Sequence, residues 1–103
     1  MLIEKFIEYL RVEKNYSNHT ITAYKTDLNN FNDFLIQSGT KTKIENIDYK
    51  VIRSWIVKMV NDNISNRTIN RKISSLKSFY KFLIKTDTIK SSPLIAHSSL
   101  KQS

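Results

Sequence analysis

Four stretches of the chain repeat an apolar residue every third or fourth position, the spacing that collects side chains on one face of a helix. Ile3, Phe6, Ile7 and Leu10 form the first stripe, on a helix expected to end near Lys14, with Asn15-Tyr16 as the break. The second stripe is Ile21, Tyr24, Leu28, Phe31 and Leu35. Ser17 stands just before it, a residue type whose hydroxyl caps helix N-termini, and Gly39 follows where a left-handed residue closes a helix. Residues 40–47 form a polar connection with Ile44 and Ile47 as expected anchors. Asp48 caps a third helix carrying Val51, Ile52, Trp55, Ile56, Met59 and Val60, and Asn61-Asp62-Asn63 ends it. Ser65 caps a fourth, with the stripe Ile69, Ile73, Leu76, Tyr80 and Leu83 and with Phe79 and Ile84 at its edges, finishing between Thr86 and Thr88. Phe82 falls on the polar side of that helix. The pattern leaves open whether it packs on another helix or on a further domain.

Four amphipathic helices that each bury one stripe make an all-α, compact four-helix bundle, here over residues 1–90. Residues 91–103, SSPLIAHSSLKQS, are small and polar apart from Leu94, Ile95 and Leu100, and read as a linker. No repeat or low-complexity tract stands out. One glycine and one proline in 103 residues are too few turn formers for an all-β chain. No cysteine is present, which excludes disulfides, thiolate metal sites and a cysteine nucleophile. No stretch has the apolar length of a membrane span, and the acids within MLIEKFIEYL do not fit a signal peptide, so a cytoplasmic, membrane-free protein is expected.

Charge is more informative than overall composition. The formal net charge is +8, which points to a polyanionic partner, most simply nucleic acid. Residues 65–90 alone carry seven basic and one acidic side chain, whereas residues 1–39 carry four and five. No acid occurs from residue 63 to residue 86. A merely solvated helix usually mixes signs to gain pairs one turn apart. On a wheel of about 100° per residue, the face opposite the fourth stripe holds Arg67, Asn70, Arg71, Ser74, Ser75, Ser78 and Lys81. Short serines let a helix backbone approach a duplex, while Arg and Asn are the types that pair with guanine and adenine edges. The second helix offers a weaker face of the same kind: His19, Thr22, Thr26, Asn29, Asn30 and Asp33, flanked by Lys25. Asp27 and Asp33 dilute it, and are read as solvating acids or partners of lysines. An ordinary exposed basic helix remains the plain alternative.

Catalytic chemistry finds no foothold. His19 and His97 are the only histidines and lie in no metal-ligand spacing. There is no glycine-rich phosphate loop and no serine, histidine and acid set. No metal, cofactor or enzymatic activity is expected of this chain.

Three segments resemble a known family. SNHTITAYKTDLNNFNDFL, residues 17–35, is similar to the serine-capped "NT…Y..DL..F..FL" helix of tyrosine recombinases. ISNRTINRKISSLKSFYKFLIKTDTIKSSPL, residues 64–94, is similar to that family's "S..T..R.LSALR.FY.FL......NP" helix and exit, with Ser92 in place of the usual asparagine, and FIEYLRVEKNYS fits its opening helix. The resemblance, closest to Xer-like recombinases and phage or mobile-element integrases, implies an N-terminal core-binding (SAM-like) domain whose second and fourth helices meet the major groove of double-stranded DNA. It implies contacts from His19, Thr20, Thr22, Lys25 and Thr26 on the second helix. On the fourth it implies Arg67, Thr68, Asn70, Arg71, Ser74 and Ser75; Thr20 and Thr68 come from the resemblance alone. A C-terminal catalytic domain beyond residue 103 and other recombinase protomers, met only on DNA, are the further partners implied. Family catalysis uses an H-x-x-R motif and a late tyrosine. Here Thr22 and Leu100 stand three places after the histidines, so no H-x-x-R exists. A basic protein-interaction module and a stand-alone DNA-binding regulator are the alternatives.

Overall fold

A computed structural model describes residues 2–95 and 97. Leu100 and Lys101 of the expected linker lie outside them. The helices are α1 (Leu2–Val12), α2 (Asn18–Gln37), α3 (Tyr49–Asn61) and α4 (Asn66–Lys85), with a single 3-10 turn at Ile44–Asn46. Helix α1 stops two residues short of the expected Lys14.

The capping residues behave as their chemistry dictates. Ser17 Oγ accepts from the Thr20 amide at 3.3 Å, Asp48 Oδ1 from the Val51 amide at 3.3 Å, and Ser65 Oγ from the Thr68 amide at 3.2 Å. Helices α2 and α4 begin with nearly the same five residues, Ser17-Asn18-His19-Thr20-Ile21 and Ser65-Asn66-Arg67-Thr68-Ile69. In both, the capping hydroxyl lies 3.1 Å from the threonine hydroxyl and the isoleucine is buried. Each helix is closed by a left-handed residue: Asn15 (φ 53°), Gly39 (φ 72°), Asn63 (φ 64°) and Asp87 (φ 59°). Asn and Asp tolerate this region better than other side chains, which is how four helices end with a single glycine between them. Beyond α2, α3 and α4, the amides of Thr40, Ile64 and Thr88 reach back to the carbonyls of Leu35, Met59 and Leu83.

The stripes meet as expected. Ile3, Phe6, Ile7 and Leu10 of α1, Ile21, Leu28, Phe31 and Leu35 of α2, Ile52, Trp55, Ile56 and Met59 of α3, and the α4 stripe form one core. Helix α4 is central and contacts each of the other three. Phe79, expected at an edge, is fully buried, whereas Val60 and Ile84 are exposed. Phe82 turns inward against α1, its ring centroid 5.5 Å from Phe6 and 4.9 Å from Tyr9, so it packs within the bundle. Tyr80, also fully buried, donates its hydroxyl to the Ile44 carbonyl at 2.7 Å and ties the connection between α2 and α3 to α4. Burial, reinforced by Glu45, pushes that phenol far above the ordinary tyrosine range. Past α4, Leu94 is buried in the same core. The Tyr49 hydroxyl sits 2.9 Å from His97 Nδ1, and desolvation together with Lys77 holds that imidazole below its ordinary range.

Candidate nucleic-acid interface

Helices α2 and α4 run in opposite directions where they touch. Tyr24 shares a groove with Ser78 and Lys81, Asp27 meets Ser75 and Arg71, and Asn30 takes a hydrogen bond from Lys72. The first half of α2 therefore lies beside the middle and end of α4. This packing gathers five of the eleven residues singled out from the sequence. His19, Thr20, Arg71, Ser74 and Ser75 surround a shallow depression together with Ala23, Tyr24 and Asp27. Thr22, Lys25 and Thr26 are exposed on the neighbouring turns of α2, and Arg67 is exposed at the start of α4. Thr68 and Asn70 are half-buried.

Ser75 departs from its expected place. The wheel put it on the exposed face, but it is buried and donates to Asp27 Oδ2 at 2.7 Å. It therefore faces the α2–α4 seam and not the outer surface. The reading of Asp27 as a solvating acid is corrected in the same way, since its side chain is 1% exposed. Its other oxygen, Oδ1, accepts from Arg71 Nη2 at 2.9 Å and lies 3.4 Å from Lys72 Nζ. Lysine pairing, the other expectation for Asp27, is thus met by Lys72. The signal for burial was present in the spacing. Asp27 lies three residues after Tyr24 and four before Phe31, inside the α2 stripe, and Ser75 lies four before Phe79 on α4. A carboxylate buried at such a position requires cationic or hydroxyl partners on the facing helix.

Along the middle of the seam the exposed charge is basic, although Asp33 stays exposed further along α2. The acid at the seam is turned inward and saturated, while Arg67, Arg71, Lys77 and Lys81 of α4 reach solvent. Lys85, at the far end, lies 4.9 Å above the Tyr9 ring and 3.9 Å from Glu13. Among the described residues, no group of histidines or acids could hold a metal ion, and no helix is long and apolar enough to cross a membrane.

The family model described as "Phage integrase, N-terminal SAM-like domain" matches residues 3–87. The chain is 38% identical over 95 residues to "Tyrosine recombinase XerC" of Oceanobacillus iheyensis, covering 92% of this chain and 31% of that protein. It is 40% identical over 97 residues to "Tyrosine recombinase XerC" of Bacillus licheniformis, covering 94% and 32%. To the protein of the same name in Rickettsia felis it is 37% identical over 105 residues, covering 98% and 34%. The chain thus spans about a third of the length of the curated relatives it matches. No solved structure gives a significant match.

Proposed function

Since the chain belongs to the phage integrase N-terminal SAM-like domain family, we propose that it is the core-binding part of a tyrosine recombinase and lays its α2–α4 face in the major groove of a recombination site. One observation carries the reading: short hydroxyl side chains and cations of two adjacent helices share an exposed surface, while the acid between them, Asp27, is buried. A groove about 12 Å wide admits one helix, so one of the pair enters and the other tracks the rim. His19, Thr20, Thr22, Lys25 and Thr26 contribute from α2, and Arg67, Thr68, Asn70, Arg71 and Ser74 from α4. Ser75 contributes through Asp27, not by touching DNA.

On this reading residues 91–103 lead toward a catalytic domain that cuts and rejoins strands through a tyrosine, and the present chain binds without cutting. Other protomers join it only on DNA, in the cytoplasm, and no cofactor takes part. The test is a fluorescence-anisotropy titration of the chain with duplex DNA across a salt series. Binding should be tightest at low salt, and log affinity should fall linearly with log salt. Arg67→Ala should lower the salt slope by about 1, as loss of one phosphate contact does. Arg71→Ala should weaken binding outright. A chain indifferent to duplex DNA at low salt overturns the reading.

A further inference from the structure

Asp27 is the one charged side chain that is buried among the described residues, and both its oxygens are used. A helical bundle gains little stability from a buried ionic group, because desolvation offsets the attraction, so stability alone does not account for an acid at this seam. One of those oxygens, Oδ1, meets the half-buried Lys72 Nζ at 3.4 Å and the exposed Arg71 Nη2 at 2.9 Å, and the Arg71 contact is the shorter. The Arg71 side chain is 56% exposed, yet its Nη2 is tethered at 2.9 Å to a carboxylate that Ser75 in turn holds at 2.7 Å. A long, half-exposed arginine is thereby anchored by one hydrogen bond, at the edge of a depression bordered by Thr20, Ala23 and Ser74.

We propose that Asp27 is a positioning residue: it holds the Arg71 guanidinium as a preset fork for a guanine edge and offsets its charge, so that Arg71 confers base preference while Arg67, Lys77 and Lys25 supply the phosphate attraction. The inference rests on the DNA-docking reading above. Phosphate attraction requires only a cation and tolerates a mobile side chain. A fixed planar fork is what two parallel hydrogen bonds to guanine O6 and N7 require. A neighbouring carboxylate lowers the net charge that Arg71 brings to a phosphate, yet leaves its outward N–H donors in place.

The experiment is selection from a pool of short randomised duplexes with the wild-type chain, Asp27→Asn and Arg71→Lys, followed by salt titrations on a selected duplex. The wild type should enrich guanine at one fixed position. Substituting 7-deazaguanine there should weaken it about tenfold, within the range of one bidentate base contact. Asp27→Asn should bind random duplex more tightly, with a salt slope steeper by about 1, because a negative charge has gone. Its preference for guanine should fall about tenfold. Arg71→Lys keeps the charge but not the planar fork and should lose the same preference; with helicity by circular dichroism as the fold control, it tests the guanine-reading half of the proposal even if Asp27→Asn proves less helical. Should the wild type bind duplex while selecting no guanine, or should Arg71→Lys retain the preference, the positioning role fails and the docking reading stands. Absence of any duplex binding by the wild type would overturn both.

Discussion

Replacing Tyr80 with Phe removes one buried oxygen and leaves the ring in place. The residue is fully buried, and its hydroxyl donates to the Ile44 carbonyl at 2.7 Å. No large cavity opens, so the loss is one hydrogen bond plus a carbonyl left without that partner. The bond contributes about 1 kcal/mol and the stranded acceptor costs up to about 1 more, giving about 1.5–2 kcal/mol in all. For a domain of this size that is a fall in Tm on the order of 10 °C. The same phenol predicts a pH signature. Burial and Glu45 raise its pKa in the folded state, so the neutral form is favoured there. Its stabilisation is fully present below the unfolded value near pH ~10 and is lost as pH rises above it, at up to about 1.4 kcal/mol per pH unit. Tyr80→Phe lacks that sensitivity. The two proteins, separated at neutral pH, should therefore converge above pH ~10. Urea denaturation followed by far-UV circular dichroism across a pH series measures both arms. A neutral-pH difference below about 0.3 kcal/mol would rule out the hydrogen-bond contribution, and curves that stay parallel into the alkaline range would rule out the raised phenol pKa.

Phe82→Ala should cost about 3 kcal/mol, the low end for a core phenylalanine because its ring edge reaches the surface, and hydrogen exchange should show α1 amides losing protection first. Ser17→Ala and Ser65→Ala should each cost about 1 kcal/mol and agree within a few tenths, since the two caps share one geometry. Urea melts of the singles and the double should also show the two costs adding.

Periodicity and caps carried most of the fold. Ser17, Asp48 and Ser65 cap as their residue types imply, and the stripe residues of α1 and α4 are buried as spaced. What the wheel misjudged lies at the borders of stripes, where a turn of some tens of degrees changes a residue's surroundings. A single apolar stripe puts Phe79 only at its edge and leaves Phe82 on the polar side, with its packing partner open. Helix α4, however, contacts three neighbours and buries a wider arc. The same breadth buries Ser75, a polar residue that a single-stripe rule leaves outside. Asp27 is hard to place from charge alone, which argues for exposure, although its spacing from Tyr24 and Phe31 lies within the stripe. The exposed candidates His19, Thr22, Lys25, Thr26, Arg67 and Ser74 do lie outward, since nothing apolar competes for those positions. Which of them share one depression depends on how α2 crosses α4, a tertiary property absent from the periodicity of either helix.

Opposed helices cancel much of each other's axial field. Each carries about half a unit of positive charge at its start and the same negative charge at its end. With Tyr24 beside Ser78 and Asn30 beside Lys72, the start of α2 lies toward the end of α4, and the reverse. The backbone thus gives their shared surface no strong gradient from one edge to the other. If duplex DNA docks on this face as proposed, the backbone gives it no strong cue about which way round to lie, and the polarity of docking rests on the uneven placement of side chains such as Arg67 and Arg71.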